Sequence, residues 1–242
     1  MNDYLKNVQT LLAEAASTEE EVIERIAAKL VQKIHNGGII QLFGCGHSNL
    51  LAQEPYYRAG GLVPVTSINA EAVMLHNGGV LASANEKDEI LAKKIANLIS
   101  FEKNDALIVI STSGRNPVPI EAAQKARVND IYTIGLLSRN YSKESHPSKH
   151  SSGLRLEESV DDVIDNHSPL GDSMLKLKNN DQLFGSSSSV IGTALLHALF
   201  TRVIQLMENE GITPPIFRSG NDDDSLSHNQ QLVFRYKDRI DF

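Results

Sequence analysis

The chain has 242 residues, 41% of them apolar and 22% charged, enough for one core of ordinary size and for one domain with decoration. Thirty acidic side chains against 23 basic ones leave a net charge of −7, which excludes a protein whose main work is gripping a nucleic-acid backbone by counterion release. The single cysteine, Cys45, excludes an internal disulfide framework and a cysteine-rich zinc cage, and it points to a reducing, cytoplasmic compartment.

Residues 3–16 read as a helix, and Ser17-Thr18 followed by Glu20 and Glu21 predicts the capped start of a second. Neither an export signal nor a membrane span is expected, because no basic stretch leads into an apolar one and no run of about 18 apolar residues occurs. Val22, Ile26, Leu30 and Ile34 form a stripe whose period demands a partner, either the main body or another subunit. The acidic opposite face suits water and not DNA.

Past Gly37-Gly38 the grammar changes. Apolar runs at 38–43 (GIIQLF), 62–66 (LVPVT), 106–110 (ALIVI) and 131–136 (IYTIGL) predict strands, with helices at 48–59, 86–100 and 117–128. Such alternation implies right-handed crossovers and a mostly parallel sheet covered on both faces, a three-layer α/β/α sandwich. Residues 139–153 (RNYSKESHPSKHSSG) predict a long surface loop. Short strands are expected at 154–156 and 160–164, then the turn-rich DNHSPLGD. Gly185 to Ser189 opens the strongest helix of the chain, and a closing helix is expected near 226–237. The organisation is a single domain, with N-terminal helices at 1–36, a core at 37–210 and a C-terminal extension at 211–242.

The placement of small hydroxyl residues carries the functional signal. Two predicted strands run into Gly44-Cys45-Gly46-His47-Ser48-Asn49 and Ser111-Thr112-Ser113-Gly114-Arg115-Asn116, and Gly185–Ser189 makes a third such turn before a helix. At the carboxyl edge of a parallel sheet these turns point free amides, hydroxyls and a helix dipole at an anion. Capping alone explains any one of them, but three in one chain favour a ligand. A dinucleotide fingerprint fails because Asn49 stands where glycine is required, and no Gly-Lys-Ser/Thr of a phosphate-binding P-loop occurs.

Strand–GCGHS and strand–STSG, followed by a serine-rich helix start, resemble the sugar isomerase (SIS) phosphosugar-binding domain over residues 20–210. The whole chain is similar to a stand-alone bacterial subfamily close to phosphoheptose isomerases. The resemblance implies a five-stranded sheet of flavodoxin-like order. It also implies a sugar phosphate as ligand, held by Ser111, Thr112, Ser113 with Gly114, and by Asn116 at a position often Ser or Thr. Gly46, His47, Ser48, Asn49, Asn69, Ser187 and Ser188 complete the expected binding set.

Aldose–ketose isomerisation needs a base to move a proton between adjacent carbons and an acid at the carbonyl oxygen. Glu71 follows the second strand and is the preferred base, and Glu54, six residues past Ser48, is the other carboxylate. Related isomerases and etherases carry an essential glutamate on the first-loop helix and a catalytic histidine on the helix that here holds His197. By position alone, His197 reads as a satisfied core or interface histidine. His76 and His150 are expected in solvent, and Arg115 and Arg218 are candidate phosphate clamps. His146 and His150 share a metal-compatible spacing, but Pro147 breaks the helix that spacing would need. Asp222–Asp224 are expected to cap the last helix. No metal or cofactor is called for. The expected activity is a phosphosugar isomerase or related lyase, assembled as a homodimer or larger homo-oligomer. The alternative is a non-catalytic module that senses a sugar phosphate.

Overall fold

Acidic first turns and apolar stripes make two consecutive helices at the start of the chain, α1 (Asp3–Thr18) and α2 (Glu20–His35). The computed structural model describes residues 2–141 and 144–242. Beyond α2 run β1 (Ile40–Gly44), α3 (His47–Gln53), β2 (Val65–Ser67), α4 (Gly79–Asn85), α5 (Glu89–Leu98), β3 (Ala106–Ile110) and α6 (Pro117–Val128). The remainder is β4 (Tyr132–Leu137), β5 (Asp162–Asp165), the two-residue strands β6 (Leu175–Lys176) and β7 (Leu183–Phe184), α7 (Ser188–Asn209) and α8 (Ser225–Tyr236).

The strands β2-β1-β3-β4-β5 form one sheet in that order, and every pairing is parallel. This is the flavodoxin-like order, so the chain reverses its direction of growth between β1 and β3. Their carboxyl ends open a crevice there, the place where ligands bind in open α/β sheets. Leu42, Ile108, Ile134 and Ile164 face one side of the sheet and are sealed by Ile26 and Leu30 of α2 and Leu195, Leu199 and Val203 of α7. Phe43, Leu107, Val109 and Leu137 face the other, under Ala92 and Ile95 of α5 and Ala123 and Ala126 of α6. The alternation along each strand thus fills two cores at once.

The stripe on α2 is satisfied within the chain, since Ile26, Leu30 and Ile34 are buried against the α7 side of the core. Polar groups fix the approach. Arg25 and Lys29 reach Asp162 at 2.8 Å each, and the Tyr132 hydroxyl donates to the same carboxylate at 2.6 Å, tying α2 to the sheet edge. α7 is long and apolar enough to suit a bilayer, yet its Ile191, Leu195, Leu199 and Val203 stripe is buried in this core. The tail is pinned from below the sheet. Arg239 donates to Asp105, which is fully buried and also accepts the Ile39 amide at 3.0 Å.

Several expected elements change shape. The predicted helix 86–100 is the shorter α5, which starts at Glu89 because the Asp88 carboxylate accepts from the Ile90 and Leu91 amides, and α4 before it is an addition. The predicted helix 48–59 ends at Gln53, since Pro55 disfavours helical backbone before it and lacks the amide to continue. Only Val65–Ser67 of the second strand pairs in the sheet, while Leu62 bridges Ile216 of the tail instead. Residues 154–156 are no strand; Leu156–Glu158 form a short 3-10 turn. The loop at 139–153 is irregular where described, and its residues 142 and 143 lie outside the described residues. The β6–β7 hairpin is an addition that no sequence period announces. Asp224 stands at the N-cap of α8, but its side chain makes no capping bond.

Candidate functional site

The turns after β1 and β3 lie side by side at the switch point. Gly46 and Gly114 take φ of +57° and +59°, a region costly for side chains with a Cβ. These two glycines fold each turn back over its strand end and start α3 and α6. Pro117 suits the first turn of α6, where a missing amide costs nothing. Between the turns lies a cleft of about 340 Å³, lined by Cys45, His47 and Ser48 from the first and by Ser111, Thr112, Ser113 and Asn116 from the second. Among the described residues, no protein group engages the hydroxyls of Ser48, Ser111, Thr112 and Ser113. They are free to donate to oxyanions.

The second turn is held from beneath. Arg155, 1% exposed, donates through Nη2 to the carbonyls of Ser113 at 2.7 Å and Tyr141 at 2.6 Å. Its other nitrogens meet the His146 carbonyl and the Glu157 carboxylate. The Leu156 amide donates to the Gly114 carbonyl at 2.9 Å. With its carbonyls bound below, the turn keeps its hydroxyls toward the cleft.

A carboxyl that sequence reasoning missed also borders the cleft. Glu86 follows α4, and its Oε1 accepts from Asn116 Nδ2 at 2.8 Å. Burial pushes its carboxyl above the usual range, against the pull of Lys87 and Lys149. Burial, with the neighbouring Glu86 charge, also pushes the Cys45 thiol well up, so it is no ready nucleophile. No local signal marks Glu86, which reads as the first residue of a predicted helix. Asn116 spends that amide on Glu86 and holds the carboxyl in place.

The third serine turn is engaged by the protein itself. Asp172 Oδ1 accepts the Ser187 and Ser188 amides at 2.9 and 2.8 Å and the Ser187 hydroxyl at 3.0 Å, while Oδ2 accepts the Ser188 hydroxyl at 2.6 Å. Asp172 and Ser188 border the cleft. Ser187 is fully buried, so its hydroxyl caps the fold and does not meet a ligand.

A SIS domain family model matches residues 3–138. The chain belongs to the SIS domain family. The UPF0309 protein of Geobacillus kaustophilus is 46% identical over 240 residues, covering 99% of this chain and 95% of that one. Among solved structures, the phosphoheptose isomerase of Neisseria gonorrhoeae superposes with a TM-score of 0.56 at 19% identity, over 84% of this chain and 96% of the isomerase. The NanR protein of Vibrio vulnificus, solved in complex with ManNAc-6P, gives a TM-score of 0.54 at 18% identity, over 96% of this chain and 67% of NanR. These two likenesses establish a shared SIS fold.

Within this SIS fold the remaining expected residues scatter. Glu71 follows β2 as expected, but its carboxylate is 72% exposed and lies outside the cleft lining. Hydrogen bonds from Asn77 and then His76 hold it below the usual carboxylate range. Asn69 is exposed beside the Ser67 hydroxyl. Asn49 is buried, 2% exposed, with Oδ1 on Gln53 and Nδ2 without a partner. Glu54 and His197 do meet: Nε2 lies 2.7 Å from Oε2, while Arg58 takes the other oxygen. His197 borders an apolar groove between α1, α2 and α7 and is absent from the cleft lining. His76 is exposed as expected, but His150 is buried between Glu121 and Ser152, both at 2.7 Å. Arg115 donates to the Pro147 carbonyl at 3.1 Å and braces the loop. Arg218 lies on the tail, where its backbone pairs with Asn229.

Proposed function

We propose that this protein binds a sugar phosphate in the cleft between β1 and β3 and moves a proton beside the sugar carbonyl, as an aldose–ketose isomerase does. One observation carries the reading: unengaged hydroxyls at the start of α6 share a cleft with a carboxyl that burial keeps easy to protonate. Ser111, Thr112 and Ser113 supply donors for the phosphate, and the α6 dipole favours its charge. The sugar then extends toward Ser48, His47 and Glu86. Support for the ligand class comes from the ManNAc-6P held by NanR and for the reaction class from the gonococcal isomerase.

Glu86 is the base of this proposal. A carboxyl raised toward neutrality exchanges a proton with a weak carbon acid more readily than one held low. Glu71, held low and in solvent, lacks both properties within one chain. The Glu54–His197 pair is the competing set, favoured by a buried carboxylate oxygen that lacks a hydrogen bond beside an imidazole.

A thermal-shift panel of pentose, hexose, heptose and amino-sugar phosphates identifies the ligand, because binding to the folded state raises the melting point. Solvent deuterium exchange into the carbon beside the carbonyl reports proton abstraction. Glu86→Gln should keep binding and slow exchange by roughly 10²–10⁴-fold, the usual share of general acid–base catalysis. Exchange that survives Glu86→Gln but vanishes in Glu54→Gln moves the base to the other pair. Binding without any exchange turns the reading into that of a sensing module.

A further inference from the structure

We infer that Asp172 sets the specificity of the cleft: its carboxylate borders the cleft and takes the Ser187 and Ser188 donors at the start of α7, so ligands are monophosphates whose far end is neutral or cationic. The inference rests on the cleft being a sugar-phosphate site.

Two serine-bearing turns border this cleft, and they are in different states. The hydroxyls of Ser111, Thr112 and Ser113 are unengaged among the described residues, whereas those of Ser187 and Ser188 converge on one carboxylate. α7 is 22 residues long, so its first turn carries the full partial charge of a helix N-terminus. Asp172 opposes that charge and takes the Ser187 and Ser188 amides at 2.9 and 2.8 Å. An incoming phosphate finds unengaged hydroxyls at α6 and meets the Asp172 carboxylate among the serines that start α7.

The carboxylate is placed by a stiff turn. Gly171 and Asp172 both take positive φ, +76° and +50°, and for a residue with a Cβ that conformation persists only where its surroundings enforce it. They do so here. The Gly171 amide donates to the Tyr141 hydroxyl at 2.8 Å, and the Asp172 amide closes on the Pro169 carbonyl at 2.9 Å. The carboxylate cannot swing away at little cost when a second anion arrives.

Glu86 adds a second acid, and none of the described lining residues is Lys or Arg, although Lys87 and Lys149 act on Glu86 from outside the lining. A ligand with a phosphate or carboxylate at each end would press one of them against the Asp172 carboxylate, like charge against like. A hydroxyl or an ammonium at that end meets an acceptor instead.

The test is calorimetric binding of glucose 6-phosphate, glucosamine 6-phosphate, fructose 1,6-bisphosphate and 6-phosphogluconate to the wild-type protein and to Asp172→Asn. The expected wild-type result is that the better of the first two binds at least about tenfold tighter than either of the last two. Asp172→Asn keeps an oxygen for the Ser187 and Ser188 amides and removes the charge, so that ratio should shrink by about fivefold or more. A wild-type ratio near one overturns the inference, as does an unchanged ratio in a folded Asp172→Asn. If the variant does not fold, the wild-type ratio decides alone. Failure of all four probes and of the wider phosphosugar panel overturns the sugar-phosphate reading itself, a result distinct from tight binding without selectivity.

Discussion

Replacing Ser111 and Ser113 together by alanine removes two of the hydroxyls that line the cleft and that no described protein group engages. A hydrogen bond to a charged partner contributes about 1.5–3 kcal/mol, and the Thr112 hydroxyl remains to compensate part of the loss, so the pair should cost about 2–4 kcal/mol of binding. That is a roughly 30- to 700-fold rise in Kd. The fold should not notice, because neither hydroxyl has a partner among the described residues and such sites stay within about 0.5 kcal/mol of wild type. The third serine turn supplies the contrast. Ser187→Ala with Ser188→Ala breaks two bonds to Asp172 and should lower stability by about 1–3 kcal/mol. Titration calorimetry with the phosphosugar chosen by the thermal-shift panel measures the first effect, and thermal melts measure the second. Unchanged affinity in a folded Ser111→Ala, Ser113→Ala protein would refute the phosphate assignment.

Arg155→Met should destabilise by about 3–5 kcal/mol, because it leaves the Glu157 carboxylate and the carbonyls of Ser113 and Tyr141 without their buried donor. In a chain of this size the melting point should fall by roughly 6–20 °C; adding Glu157→Gln should restore part of it, and a fall under about 2 °C would contradict the strut. Burial works to raise the Asp162 carboxyl, but hydrogen bonds from Lys29, Tyr132 and Arg25 outweigh it and hold the group below its ordinary value. Its contribution is therefore complete above the unfolded value of about 3.9 and is lost as pH falls through the lower folded value. Asp162→Asn should flatten the acid limb of melting point against pH; an unaltered limb would show that α2 is held by its apolar face alone.

Much of the fold was legible because its signals are local. A run such as ALIVI at 106–110, a glycine-bearing turn and an amphipathic stretch each follow from the burial period of a few neighbouring residues. The hydroxyl turns after β1 and β3 were legible for the same reason. Element ends were less so, since the Asp88 cap and Pro55 act within a single turn that a broad apolar pattern overrides. The expectation for Glu71 failed on direction. A place after a strand sets the edge of the sheet but not which way a short 3-10 turn aims its side chain.

The sequence alone determined the α/β class, the parallel sheet and the two hydroxyl turns, because each is written in contiguous residues. Tertiary structure alone decided what surrounds those turns. Glu86 reaches the cleft through Asn116, 30 residues away in the chain, and Asp172 takes the Ser187 and Ser188 amides from 15 and 16 residues upstream. Arg155 braces the Ser113 carbonyl across 42 residues. Such partners share no period and no motif. They meet because the packing of helices on the sheet brings distant turns to one edge, and the charge balance of the site is a property of that meeting.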